Sequence, residues 1–172
     1  MSQQRLRLKG KVVRGRGQAT AALVPFHQDI AGFLGKPVVP GSLNVVAARP
    51  ILFSLDHAVL KYRNGAGGER WFWPVTVSGI PCLATRWKWC PLHILEIVSP
   101  VYLRAAKGVI REGQIDIEIS HESVRLLPWE KRVGWWLVWK GREALWYESN
   151  GYAKLTRRLR LGYVDAQGVG RQ

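Results

Sequence analysis

Long apolar runs are missing from this chain. No stretch approaches the roughly 20 residues that a bilayer-spanning helix needs, and the opening "MSQQRLRLKGKVV" lacks the apolar segment that marks a signal peptide. Membrane anchoring is therefore not expected, and a cytoplasmic location is. Cysteine is nearly absent too. Cys82 and Cys90 lie in one segment with no second Cys or His pair at metal spacing, so they read as two buried thiols rather than a disulfide or a zinc site. Acidic side chains are scarce: 12 Asp and Glu stand against 26 Lys and Arg, a formal net charge of +14 over 172 residues. Such an imbalance predicts an anionic partner, whether a phosphorylated small molecule, nucleic acid or an acidic surface. The first 20 residues carry six cations and no acid (Arg5, Arg7, Lys9, Lys11, Arg14, Arg16), and a second basic cluster, "KLTRRLRLG", lies near the C-terminus.

What is present is 47% apolar residues, enough for the core of one domain or of one domain with a small appendage. The dominant pattern is short strand-like runs broken by Gly and Pro: "LRLKGKVVRG", "TAALVPF", "SLNVVAA", "RWFWPVTVSG", "PCLATRW", "HILEIVSP" and "IDIEIS". This spacing predicts a mainly β chain folded as a small barrel or sandwich. Two short helices are expected. One is "HQDIAGFLG", with Gly35 as its stop, and the other "SPVYLRAAKGV", with Ser99 as N-cap and Pro100 in the first turn. Glu112-Gly113 reads as a tight turn feeding the last barrel strand.

From about residue 121 the character changes. Five of the nine tryptophans (Trp129, Trp135, Trp136, Trp139, Trp146) fall in 121–172, along with an Asn150-Gly151 hairpin signal. This segment is expected to be a Trp-rich β extension packed on a barrel formed by residues 5–120. Its basic run is placed on the surface.

Two stretches point to chemistry. "GKVVRGRGQAT" puts Gly10, Gly15 and Gly17 around a basic strand end, where backbone amides can approach phosphate closely, although the spacing matches neither a Walker nor a dinucleotide fingerprint. "KPVVPGSLNVV" sets two oxygen-bearing side chains, Ser42 and Asn44, at the mouth of a strand; residues two apart in a strand face the same way, leaving Leu43 for the core. Alone, that pattern is also what completes a plain Pro-Gly turn.

Taken in order with the short helix ending in Leu-Gly and the stretch "ILEIVSPVYLRAAKGVIREGQIDIEI", these motifs resemble the CTP-dependent riboflavin kinases of archaea. The likeness runs over about residues 5 to 120. It implies a cradle-loop barrel that phosphorylates the ribityl hydroxyl of riboflavin to FMN with CTP and Mg²⁺. By the resemblance, Ser42 and Asn44 ligate the magnesium. Nucleotide contacts fall on Gly15, Arg16, Gly17, Gln18, Ala19 and Thr20 and on Val101, Tyr102, Leu103 and Arg104. Glu96 and Thr85 contact the flavin. No residue is singled out as a general base. This chain departs from the pattern at Ala19, where the family has a third glycine, at Ala21-Ala22, where it has an aromatic pair, and in the aromatic loop "RWKWCPLH" after Thr85. Two other readings stay open: a kinase of the same fold with another hydroxylated acceptor, and a basic barrel that binds nucleic acid without catalysis, using "RRLRL" and the tryptophans.

Overall fold

A computed structural model describes residues 4–15, 19–63, 68–106, 108–163 and 167. Nine strands occur among them: β1 (Arg5–Val13), β2 (Leu43–Ala47), β3 (Leu52–Phe53), β4 (Leu60–Arg63), β5 (Glu69–Val77), β6 (Ile80–Trp87), β7 (Ile94–Val98), β8 (Gln114–Ser120) and β9 (Val124–Arg125). Six close into an antiparallel barrel in the order β1, β2, β7, β6, β5, β8 and back to β1, with β4 added outside β5 and a separate β3–β9 ribbon. Closure leaves no bare edge among the six.

Period-2 patterning determines which side chains enter. Ile115, Ile117 and Ile119 of β8 point inward at 2, 1 and 1% exposure while Gln114, Asp116 and Glu118 face out. The same parity puts Leu43 and Val45 of β2, Leu95 and Ile97 of β7, and Trp71, Trp73 and Val75 of β5 in one core. Gly10 is required there, because a Cβ at that position would lie 2.2 Å from Val45 Cγ1. At one end of the barrel the buried guanidinium of Arg86 donates to the carbonyls of Ile94 (3.0 Å), Leu92 (2.7 Å) and Ile51 (2.5 Å) and lies over the Phe53 ring. It clamps the loop after β6 without any carboxylate. Both cysteines are free and buried, as expected, with burial pushing the Cys82 thiol up to about 11 and Cys90 up to about 12.

Helices cover the outside. "TAALVPF" is not the expected strand: it forms helix α1 (Ala19–Leu23) and a 3-10 turn, because its apolar residues do not alternate and Leu23 and Phe26 are needed on a patch of the outer wall. Helix α2 (His27–Leu34) follows as expected and stops at Gly35, whose φ of 66° is left-handed. Together they bury Phe72, Leu83 and Val98 of β5, β6 and β7, and Tyr62 of β4 ties to Asp29 through a 2.5 Å hydrogen bond. Residues 99–106 are turns rather than the expected helix: Ser99 Oγ accepts from the Val101 amide at 3.2 Å, but Ala105 and Ala106 both bond back to Tyr102 and no helix propagates. Glu112 and Gly113, with φ of 50° and 74°, do make the tight turn before β8.

After the short strand β9, the rest of the extension is helical, not a β-hairpin. Helices α3 (Trp129–Trp139), α4 (Leu145–Glu148) and α5 (Asn150–Arg158) occupy it. Asn150-Gly151 opens α5, with Ser149 as N-cap accepting from the Gly151 amide at 3.1 Å, so the hairpin signal is the first turn of a helix. Trp135, Val138 and Trp139 recur at helical spacing and enter the core with Trp146, Leu161 and Tyr163. Among the described residues, no helix is long and apolar enough to cross a membrane.

Candidate active site

Cross-strand register builds one polar row on the outer wall. Asn44 of β2 stands opposite Glu96 of β7, and Glu96 opposite Thr85 of β6. Directly opposed residues share a face, and since Leu43 points into the barrel, Asn44 and its row point out. An apolar cluster under α1 and α2 lies on one side, through Phe72, Leu83 and Val98. On the other stand the aromatics of the extension, with Trp87 and Trp146 rings 6.2 Å apart. The row is a polar seam between two apolar covers.

The expected phosphate and metal residues converge at the Asn44 end of this seam. Gly15 lies directly against Asn44: a Cβ on it would stand 2.0 Å from Asn44 Nδ2. Arg104 donates from Nη2 to the Val13 carbonyl at 2.8 Å, which pins the 101–104 turn to the end of β1 beside Gly15. Ser42 shares a shallow cavity of about 100 Å³ with Val101, Tyr102, Leu103 and Arg104. Arg16, Gly17 and Gln18 lie outside the described residues, and Ala19 and Thr20 open α1. Val101 and Tyr102 are exposed while Leu103 is buried, so of the apolar members of this turn only the first two face outward.

Oxygen donors for a cation are few. Among the described residues no group of three or more His, Cys, Asp or Glu side chains gathers. Ser42 Oγ is buried with no hydrogen-bond partner among those residues, which is costly unless something else satisfies it. Asn44 Oδ1 accepts from the Tyr147 hydroxyl at 3.1 Å. That contact was not foreseen: Tyr147 belongs to α4 of the extension and reaches back across the seam to the amide expected to hold metal.

The acceptor side is differently arranged from the expectation. Glu96 is buried and ion-paired with Arg70 of β5 at 2.7 Å, the two side chains only 9 and 13% exposed. Arg70 in turn lies 5.6 Å from the Trp87 ring centroid. Thr85 is fully buried and donates its hydroxyl to the Trp71 carbonyl at 2.9 Å, so its proton is already committed within the sheet. Arg70 was legible in principle, since "RWFWPV" alternates and puts Arg70 on the same face as Phe72. Tyr147 was not, because the nearby Asn150-Gly151 pair was read as a hairpin turn.

One further buried group fixes the extension. His93, just before β7, accepts at Nδ1 from Trp135 Nε1 (2.8 Å) and donates from Nε2 to the Glu143 carbonyl (3.0 Å), with the Trp139 ring centroid 4.8 Å away. The bond accepted at Nδ1 requires the neutral ring, and burial lowers its pKa to about 3.

The fold and seam together define a small closed barrel with an oxygen-lined, glycine-backed outer wall and a helical appendage reaching into it. No family model matches the chain. Among curated proteins it is similar to the riboflavin kinase of Methanoregula boonei, with 27% identity over 128 residues, covering 67% of this chain and 58% of that protein. The chain thus spans less than two thirds of the relative's length. The mainly β architecture, a closed six-stranded antiparallel barrel with a few short helices, is consistent with the riboflavin kinase fold.

Proposed function

We propose that this protein transfers a phosphoryl group to the ribityl hydroxyl of riboflavin, giving FMN, with CTP as donor and Mg²⁺ as cofactor. The observation that carries the reading is the meeting of Gly15, Ser42, Asn44 and the 101–104 turn at one end of a row whose next member is Glu96. The similarity to a riboflavin kinase supports the acceptor.

Phosphoryl transfer asks little covalent help of a protein; it needs the acceptor oxygen in line and positive charge where negative charge builds. Ser42 Oγ and Asn44 Oδ1 fit Mg²⁺ in donor type, since this hard cation takes oxygen ligands and retains waters and phosphate oxygens. They would hold it, and the ion would neutralise phosphate charge. Gly15, bare of a side chain, lets the chain after β1 pack directly against the Asn44 amide. Arg104 holds the turn in place and leaves its positive charge at the site. Glu96, oriented by its ion pair with Arg70, accepts a hydrogen bond from the acceptor. Trp87, half-buried at the edge of the seam, offers an apolar face for a planar ring system.

A second reading has its own observation. Because the Thr85 hydroxyl is buried and already bonded, the acceptor end differs from what the resemblance implies, and another hydroxylated acceptor fits it as well. Thermal melting separates the donors and the rival classes. A ligand at 100 times its Kd stabilises by about 2.7 kcal/mol, so CTP with Mg²⁺ should raise Tm by several degrees, more than ATP with Mg²⁺ and more than CTP with EDTA. Stabilisation by single-stranded oligonucleotide alone, at physiological salt, would replace the kinase reading with a nucleic-acid-binding one.

A further inference from the structure

Helix α3 is apolar on two opposite faces, and the chain covers one of them. Trp135, Val138 and Trp139 are buried against the barrel, but Trp129, Val133, Trp136 and Leu137 stand 64, 48, 59 and 60% exposed, and Leu126 just before the helix is 88% exposed. Trp129, Val133 and Trp136 line an open cleft of about 290 Å³ with Arg132 at its rim. Lys131 Nζ donates to the Arg160 carbonyl at 2.6 Å, and Leu161 packs on Gly134, so the end of α5 lies beside α3. There Leu155 and Leu159 are exposed among Lys154, Arg157, Arg158 and Arg160. Over residues 126–163 eight Lys and Arg face three Glu.

We propose that this face docks the protein on an anionic lipid surface. Charge decides among occupants. A second copy would bring the same cations against themselves, on a chain already at +14. A nucleic-acid strand would satisfy the cations and stack on the indoles, yet it would leave Leu126, Val133, Leu137 and Leu159 in water. Anionic lipid covers both kinds of group: indoles and leucines sit at the headgroup boundary while the surrounding Lys and Arg meet lipid charge. A helix lying in the interface needs no spanning length. The proposal stands on the extension alone and is independent of the kinase reading.

Co-sedimentation of the full chain with vesicles of phosphatidylcholine containing 30% phosphatidylglycerol tests it, against pure phosphatidylcholine vesicles. Binding to the anionic vesicles is expected, weakening at least tenfold as salt rises from 50 to 500 mM, with little binding to the neutral ones. The Trp129→Ser, Trp136→Ser double variant should lose about tenfold or more in partitioning while keeping its Tm, because both side chains are exposed. Arg132→Glu should weaken binding in the same direction. No binding to anionic vesicles at 50 mM salt overturns the proposal. So does binding that both variants leave unchanged. Displacement from vesicles by a single-stranded oligonucleotide through the same residues, or a dimer that the double variant converts to monomer without vesicle binding, overturns it in favour of those partners.

Discussion

Acid should loosen the extension before it unfolds the barrel strands, and His93 is the reason. Its ring is neutral in the folded state, accepting from Trp135 and donating to the Glu143 carbonyl. Protonation turns the acceptor nitrogen into a donor facing another donor, in a site walled by Trp135 and Trp139. The folded pKa is lowered to about 3 from 6.5, so the unfolded chain binds the proton more readily between those values. Stability from this group is therefore complete above pH 6.5 and is lost as pH falls toward 3. At pH 5 the loss is about 2 kcal/mol, and it grows by about 1.4 kcal/mol for each further unit until the folded pKa is reached. Urea unfolding of the native chain and of His93→Asn, run from pH 7.5 to 4.5, isolates the contribution, because carboxylate titration is common to both. The native chain should lose about 2 kcal/mol more than the variant between pH 7 and 5. Parallel curves would refute the buried neutral histidine.

Asn44→Ala should lower FMN formation by orders of magnitude while Tm moves little, and Ser42→Thr should be nearly silent; normal Mg²⁺-dependent turnover by Asn44→Ala rules out the metal assignment. Tyr147→Phe frees Asn44 Oδ1, so it should lower the Mg²⁺ concentration for half-maximal turnover, and an unchanged or higher requirement contradicts that role. Glu96→Ala leaves the Arg70 guanidinium buried without its carboxylate and should destabilise by about 3–5 kcal/mol, read by urea unfolding, against much less for a paired Glu96→Gln, Arg70→Gln variant. Truncation after Ser120 removes Trp135, Trp139, Trp146, Leu161 and Tyr163 from the core and should cost several kcal/mol; an unchanged melting point would mean that these residues do not stabilise the barrel.

The barrel was legible because its strands obey a short-range rule. Ile115, Ile117 and Ile119 alternate with polar residues, and Gly35 and Glu112-Gly113 mark a helix stop and a turn by local backbone needs alone. Where tertiary contact overrode local preference, the reading failed. "TAALVPF" is apolar enough for a strand but becomes helical to cover Phe72 and Leu83. Ser99-Pro100 carries a helix-start signature, yet the turn after it is held by Arg104 reaching back to Val13. In the extension, tryptophans favour strands by propensity, and the helical spacing of Trp135, Val138 and Trp139 was outweighed by an Asn-Gly pair that opens a helix instead. Candidate residues within one motif, such as Ser42 and Asn44, could be picked out from sequence. Arg70 and Tyr147 reach Glu96 and Asn44 from 26 and 103 residues away, and only the closed register shows it.

Product formation tests the proposed chemistry most directly. The native chain and Asn44→Ala are incubated with riboflavin, Mg²⁺ and each nucleoside triphosphate in turn, and FMN is detected by chromatography. FMN from the native chain, fastest with CTP, abolished by EDTA and nearly absent with Asn44→Ala, is the expected result. No FMN with any triphosphate from a chain that melts cooperatively would contradict riboflavin as the acceptor, and equal FMN from both chains would contradict the seam as the place where it forms.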